Sequence, residues 1–283
     1  MVDTIGSALT RGAARLGHLP GTAPRHEAER LLGLATQLSR SQILAWPERL
    51  LWRSAQRRFD RLLERRAAGE PFAYLSGTQG FWSLQLRVTP ATLVPRPETE
   101  MLVELALASL PEDARLRVAD LGTGSGAIAV ALASERPLWQ IVATERCPAA
   151  VRVARENLSA LGIESVALLL GDWLTPFSSN CFDAILSNPP YVRDLDPHLT
   201  SGALDHEPRL ALAAGADGLA AIRLIVSTAG SALRPGGLLA VEHGFDQGSS
   251  VRALFVAAGL HEVSTRRDLA GLERVTLGYS AVP

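Results

Sequence analysis

Arg117-Val118-Ala119-Asp120-Leu121-Gly122-Thr123-Gly124-Ser125-Gly126 is the stretch whose reading decides the fold. Five residues of apolar, strand-forming character run into three alternating glycines, and an alanine-rich segment with Ala127, Ala129 and Ala131 comes next. Glycines at this spacing let the backbone turn tightly and let a bound cofactor come close to it, and small alanines let the next helix pack tightly on a sheet. Glu145 closes the next apolar run, 19 residues past Gly126, where a carboxylate can accept hydrogen bonds from both hydroxyls of a ribose. The same residues satisfy the dinucleotide pattern G-x-G-x-x-A as Gly122, Gly124 and Ala127. On its own, the loop leaves S-adenosylmethionine (SAM), NAD and a ligand-free strand–helix turn all open.

Outward from this loop, the chain alternates strand and helix patterns. Strands are predicted at 117–121, 140–145, 165–170, 182–187, 237–243, 261–265 and 273–279. Helices are predicted at 127–135, 148–160 and 217–233, and another opens at Glu98 and Glu100 and runs to about Leu110. Such alternation predicts a doubly wound α/β sheet with ligands at the C-terminal ends of its strands. Upstream, residues 1–75 read as helices. Ala28, Leu31, Leu32, Ala35 and Leu38 recur at helical spacing, and Pro47-Glu48 reads as a helix start. Trp52, Ala55, Phe59, Leu62 and Leu63 then fall on one face, with Arg53, Arg57, Arg61 and Arg65 on the other. Phe81 to Val88 alternates as a strand, and Pro90, Pro95 and Pro97 punctuate the segment after it. Three parts are therefore expected: a helical domain at 1–75, a β-hairpin linker at 76–95 and a cofactor-binding α/β domain at 96–283.

The predicted strand at 182–187 ends in Asn188-Pro189-Pro190-Tyr191, which this fold would place at the cofactor edge. Prolines carry no N–H and have a fixed φ, so the loop offers preorganised carbonyl acceptors and few competing donors. One hydrogen of an NH2 group can meet the Asn188 side-chain oxygen and the other the Pro189 carbonyl, while Tyr191 offers a flat face for a planar amide or base. An amide nitrogen is a poor nucleophile because its lone pair is delocalised. Hydrogen bonds accepted from it raise its electron density, and fixing it in line with a methyl donor adds an orientational advantage worth at most about 7–11 kcal/mol. The motif holds no His or Lys, so proton loss is expected to accompany or come after methyl transfer without a strong base. Asn188, Pro189 and Tyr191 are the expected catalytic residues, and Asn188 to Tyr191 the expected substrate site. Gly171-Asp172-Trp173 comes after the third strand, and there Asp172 and Trp173 can border an adenine.

Composition narrows the partners. The chain contains 283 residues, no lysine and a net charge of −1, so no lysine amine can act as base or Schiff-base nucleophile. Residues 1–75 hold 12 arginines against seven acids, and the remainder holds 16 against 22, so the α/β part is acidic and direct nucleic-acid binding is not expected there. The scattered histidines form no HxH or HExxH pair, which argues against a bound metal. No apolar run is long enough to span a bilayer, so no membrane partner is expected. Asp3 lies early and no apolar block precedes a cleavage site, which predicts no signal peptide. Cys147 and Cys181 form no CxxC, which fits a reducing cytoplasm. The chain is expected to act as a monomer.

The motifs together carry a specific resemblance. GEPFAYLSG at 69–77, FWSLQLRVTPATLVPRPETE at 81–100, DLGTGSGAIAVALA at 120–133, GDW at 171–173 and SNPPYV at 187–192 come in order. DPHL at 196–199, EPRLAL at 207–212, GADGL at 215–219, RPGGLLAVEHG at 234–244 and ERVTLG at 273–278 complete the series. This resembles the HemK/PrmC family of protein-(glutamine-N5) methyltransferases, which modify peptide chain release factors. The resemblance implies a helical domain that helps hold the release factor, a hairpin linker and a SAM-binding catalytic domain. It implies that Gly122, Thr123, Gly124, Ser125, Gly126, Glu145, Trp173 and Asn188 line the SAM site. It also implies that Asn188, Pro189, Pro190 and Tyr191 hold the glutamine of a Gly-Gly-Gln motif, giving N5-methylglutamine. Three positions depart from the family pattern: Glu145 where Asp is frequent, Gly80 before Phe81-Trp82 where Glu is common, and His206 before Glu207-Pro208 where Phe is common. The main rival is a methyltransferase acting on adenine N6 or guanine N2, which are also planar NH2 groups. A silent SAM-binding protein and an NAD oxidoreductase are the others.

Overall fold

The computed structural model describes residues 3–19, 21, 23–200 and 202–282, which divide into two compact units. The first comprises residues up to Gly77 together with Thr200–His206. Its helices are α1 (Ile5–Leu16), α2 (Pro24–Thr36), α3 (Arg40–Ala45), α4 (Arg53–Ala67) and α5 (Phe72–Ser76). Proline opens α2 at its first turn, where a missing N–H costs nothing, and a Ser39/Gln42 capping box opens α3. Ile5, Leu9, Leu16, Leu31, Leu32, Ile43, Phe59 and Leu63 form its core.

Two sequence expectations fail in this unit for one reason. Pro47-Glu48 does not start a helix, because α4 begins six residues later, at Arg53. The backbone between is taken by the chain's start: Ile5 N–H donates to the Arg49 carbonyl, Gly6 N–H to the Pro47 carbonyl and Leu51 N–H to the Asp3 carbonyl. Trp52 becomes the cap residue and is 44 % exposed instead of joining the apolar face. Arg53, Arg57, Arg61 and Arg65 are exposed, as a solvated face requires, and Arg65 pairs with Glu70. The departure at His206 gains a reason here, since its Nε2 lies 3.0 Å from the Ala68 carbonyl.

The second unit comprises Thr78–Leu199 and residues from Glu207 onward. It opens with a hairpin of β1 (Thr78–Phe81) and β2 (Leu84–Arg87). The alternating run read from Phe81 to Val88 is thus broken by a tight turn at Trp82-Ser83, with Trp82 at φ +56°. Glu100 accepts the Trp82 backbone N–H and Glu135 its indole N–H, which secures that turn. A short 3-10 turn, Pro97–Thr99, leads into α6 (Glu100–Ser109). Next come β3 (Arg117–Leu121), α7 (Ala127–Glu135), β4 (Gln140–Glu145), α8 (Pro148–Ala160), β5 (Val166–Leu170) and β6 (Phe182–Ser187). After three short 3-10 turns come α9 (Ala220–Ala232), β7 (Leu233–Glu242), α10 (Gly248–Ala257), β8 (His261–Arg267) and β9 (Glu273–Tyr279).

The seven-stranded sheet has the order β5-β4-β3-β6-β7-β9-β8, parallel except at β9. Ala184 and Leu186 of β6 join one apolar cluster and Ile185 the other, and Leu238 to Val241 of β7 alternate likewise. Both faces of the sheet are therefore covered, as a doubly wound sheet requires. Strand order reverses between β3 and β6, where Leu121 pairs with Ser187. The loops that begin at Gly122 and Asn188 consequently leave the sheet side by side, at the switch point where such sheets bind ligands.

Candidate active site

Gly122, Gly124 and Gly126 all have positive φ, and Gly126 caps α7 in the left-handed region. At Gly122 the requirement is double: φ is +72°, and an added Cβ would lie 3.1 Å from the Trp173 ring. Asp120 braces the loop from below, with the Thr123 hydroxyl and the Ala129 N–H both donating to its Oδ2. Burial pushes its carboxyl up to about 6, and among the described residues its Oδ1 has no hydrogen-bond partner. Asn157, also buried, donates to the Ser125 carbonyl at 2.8 Å and exchanges hydrogen bonds with the Arg87 backbone of β2, so the hairpin and the glycine loop share one anchor.

Glu145 stands at the end of β4, as its position in the sequence predicts. Its two oxygens accept from the Gly124 and Cys147 N–H groups at 3.1 and 2.7 Å, which fixes the carboxylate and leaves each oxygen a further lone pair. A cavity of about 560 Å³ opens beside it. Gly122 to Ser125, Glu145, Asp172, Trp173, Asn188 and Pro190 all line this cavity. Gly124 shows the fit most directly: a methyl added there meets nothing closer than the Gly122 carbonyl at 4.0 Å, so it would intrude only on the cavity. The remaining wall comes from Thr99, from the start of α7, from residues after β4, from α9, and from two further segments, Ala91 to Pro95 and Pro208 to Gly215. The two are tied by Glu207, which accepts from the Val94 N–H at 3.0 Å and pairs with Arg96.

On the other rim, the Asn188 Nδ2 donates to the Thr99 hydroxyl at 2.8 Å. Among the described residues, nothing donates to the Asn188 Oδ1 or to the Pro189 carbonyl. Pro189 is buried and Tyr191 half-buried, and neither lines the cavity. The Tyr191 ring packs against the core, and its hydroxyl donates to Glu242 Oε1 at 3.3 Å. Burial, with Glu242 beside it, holds the Tyr191 phenol well above its ordinary range. Gln247 donates to the Tyr191 carbonyl at 3.0 Å, and Gly218 approaches that carbonyl so closely that a Cβ would stand 2.3 Å from it.

Known proteins extend this geometry. A family model described as the PrmC N-terminal domain matches residues 7–77, and one described as the methyltransferase small domain matches residues 99–204. Release factor glutamine methyltransferase of Escherichia coli K12 is 49 % identical over 256 residues, covering 90 % of this chain and 92 % of its own length. The protein of the same name in Pseudomonas aeruginosa is 50 % identical over 257 residues, covering 91 % and 93 %. The chain belongs to the release factor glutamine methyltransferase family. Its fold is shared more widely: a solved methyltransferase from Pyrococcus furiosus aligns with a TM-score of 0.54 at 17 % identity, over 79 % of this chain and all of that one.

Two residues of this family member's site, Thr99 and Glu242, lie inside the family-like stretches 81–100 and 234–244, yet no chemistry marks them there. Thr99 is an unremarked threonine in PRPETE, and Glu242 sits in an apolar run that reads as strand interior. A buried acid at a strand's C-terminal end in such a sheet was the available signal for Glu242. Thr99 offered none, because its partner is 89 residues away.

Proposed function

We propose that this chain transfers a methyl group from SAM to the side-chain amide nitrogen of a glutamine in peptide chain release factors, within a Gly-Gly-Gln motif. The observation that carries the reading is the pair of free acceptors, Asn188 Oδ1 and the Pro189 carbonyl, on a loop bordering the glycine-lined cavity. They suit the two hydrogens of a primary amide. The named activity of the relatives that match nine-tenths of this chain supports the same substrate.

In this reading Gly122 to Gly126 give the backbone room, the fixed Glu145 carboxylate receives the ribose hydroxyls, and Asp172 and Trp173 border the adenine. SAM supplies an electrophilic methyl. Asn188 and the Pro189 carbonyl hold the glutamine NH2 and raise electron density on its nitrogen, Pro190 fixes the backbone, and Tyr191 holds the loop through its hydroxyl and carbonyl. The attacking nitrogen would gain a carbon as the sulfonium S–C bond breaks and the thioether S-adenosylhomocysteine leaves, and it would lose a proton to solvent because no His or Lys lies in the loop. The enzyme works in the cytoplasm as a monomer, and its acidic α/β part favours a protein over a nucleic-acid substrate.

The test is methyl transfer from labelled SAM to purified release factor, DNA and RNA in parallel. Label on the release-factor glutamine is the expected result, and label in nucleic acid alone would overturn the reading.

A further inference from the structure

Two prolines make Asn188-Pro189-Pro190-Tyr191 stiff, so the aim of its acceptors is set by what holds its two ends. The first end is the sheet itself, where Ser187 pairs with Leu121 of β3 and Val241 of β7. The second end leaves the sheet at Tyr191. Just beyond it, the Val192 N–H donates to the Leu212 carbonyl at 2.8 Å and the Ala214 N–H to the Val192 carbonyl at 2.9 Å. That ties the loop to the segment that carries Ala213 to Gly215 into the cavity wall, but both partners are loops and neither fixes the other to the sheet. The Arg193–Asp246 ion pair is half exposed, and such pairs hold little.

Gln247 reaches both loops from the body of the fold. It follows β7, caps the start of α10 and is 5 % exposed. Its Nε2 donates to the Tyr191 carbonyl at 3.0 Å and to the Asp217 carbonyl at 3.4 Å, and its Oε1 accepts from the Gly244 N–H at 2.8 Å. This amide has one way to face. A backbone N–H can only donate and a carbonyl can only accept, so the oxygen must meet Gly244 and the NH2 the two carbonyls. Gly218 makes the room, because at φ +76° a Cβ there would stand 2.7 Å from Nε2.

We infer that Gln247 is a positioning residue for methyl transfer: by holding the Tyr191 and Asp217 carbonyls together it sets the aim of the Asn188 and Pro189 acceptors at the substrate nitrogen. The inference rests on the glutamine reading, because it is the NH2 of that substrate that needs two aimed acceptors. Gln247 does not line the cavity, so it acts on the reaction only through the loop. A shift of about 1 Å caused far from the chemistry can cost about 100-fold in rate.

The polarity of the amide gives the inference a signature. Methionine fills the same space and donates nothing. An ionised glutamate would set a carboxylate oxygen against two carbonyl oxygens. A protonated glutamate can again donate to the Tyr191 carbonyl while its other oxygen accepts from Gly244. Burial and the facing carbonyls oppose the charge, which raises such a carboxyl above the ordinary carboxylate range. The flanking acids are paired, Asp246 with Arg193 and Asp217 with Arg223, and Arg223 helps hold Asp217 down to about 2. Glu242, against the Tyr191 hydroxyl, is pushed up by burial to about 7, so each variant's profile is read as a ratio to wild type.

The experiment measures kcat, KM for release factor and SAM affinity from pH 5.5 to 8.5 for wild type, Gln247→Met and Gln247→Glu. Turnover is referred to SAM-binding sites counted by calorimetry, so unfolded molecules do not enter. Gln247→Met should lose about 10- to 100-fold in kcat at every pH, with KM and SAM affinity within about 3-fold of wild type. Gln247→Glu should match it at pH 8.5 and recover most of the wild-type kcat at pH 5.5. If Gln247→Met does not fold, the Gln247→Glu profile decides alone. Wild-type kcat in Gln247→Met, or a Gln247→Glu to wild-type ratio that stays constant with pH, overturns the inference and leaves the glutamine reading standing. A wild-type enzyme that labels no release factor overturns the two together.

Discussion

The loops after β3 and β6 stand next to each other and are made by opposite means. The glycine loop removes side chains: three of its residues stand at positive φ, and two of them, Gly122 and Gly124, line the cavity. The Asn188 loop restricts the backbone: two prolines, a buried Pro189 and a tyrosine tied at both its hydroxyl and its carbonyl. The first is fixed mainly by its own residues with Asp120 and Glu145, and Asn157 and Trp173 are its more distant supports. The second is held from a distance, by Thr99, Gly218, Glu242 and Gln247. A loop that makes room can be written locally. A loop that must aim two acceptors needs braces from the rest of the fold.

Substitutions can break this contrast in order of expected effect. Asn188→Ala removes one of two aimed acceptors and should lower kcat by about 100- to 1,000-fold while SAM affinity changes only a few-fold, read by steady-state kinetics beside ligand titration. A near-normal kcat would mean that the loop does not clamp the substrate. Gly122→Val should do the reverse. It forces a branched side chain into φ +72° and against Trp173, so SAM affinity measured by calorimetry should drop about 10- to 100-fold. Unchanged affinity would show that the glycine loop does not need its backbone freedom. Glu145→Gln keeps the shape but weakens acceptance from two hydroxyls, for an expected loss in SAM affinity of about 10-fold. If a titration shows no loss, the ribose lies elsewhere.

The smallest effect is expected in the helical unit. Reversing Arg53, Arg57 and Arg61 to Glu should slow association with a release factor about 3- to 10-fold at low salt and flatten its salt dependence, leaving kcat at saturation alone. Equal stopped-flow association rates would reduce the stripe to a solvated helix face.

The same contrast explains what was legible in the sequence. Five of the seven main-sheet strands, at 117, 140, 182, 261 and 273, start where periodicity puts them, because apolar alternation is a local property. β7 starts at Leu233, not near 237, because Pro235-Gly236-Gly237 reads as a stop, whereas the strand carries it with a register shift opposite Phe182 to Ala184. The helix expected at Pro47 yields to pairing with residues 3–6, a contact that no window of sequence shows. The cavity obeys the same rule. Its glycine and NPPY borders show a ligand chemistry locally, while the segments Ala91 to Pro95 and Pro208 to Gly215 are joined by Glu207 across more than 110 residues.

The short segment Thr200–His206 belongs with the N-terminal helices although it lies in the middle of the methyltransferase sequence. The chain thus leaves one unit, enters the other, returns for seven residues and leaves again. No single cut in the polypeptide can release both units whole: a fragment beginning at Thr78 would carry the 200–206 segment away from the Ala68 carbonyl that His206 meets. Anyone shortening this protein for expression, or grafting its helical unit onto another enzyme, is handling an interleaved pair of units and not two beads on a string.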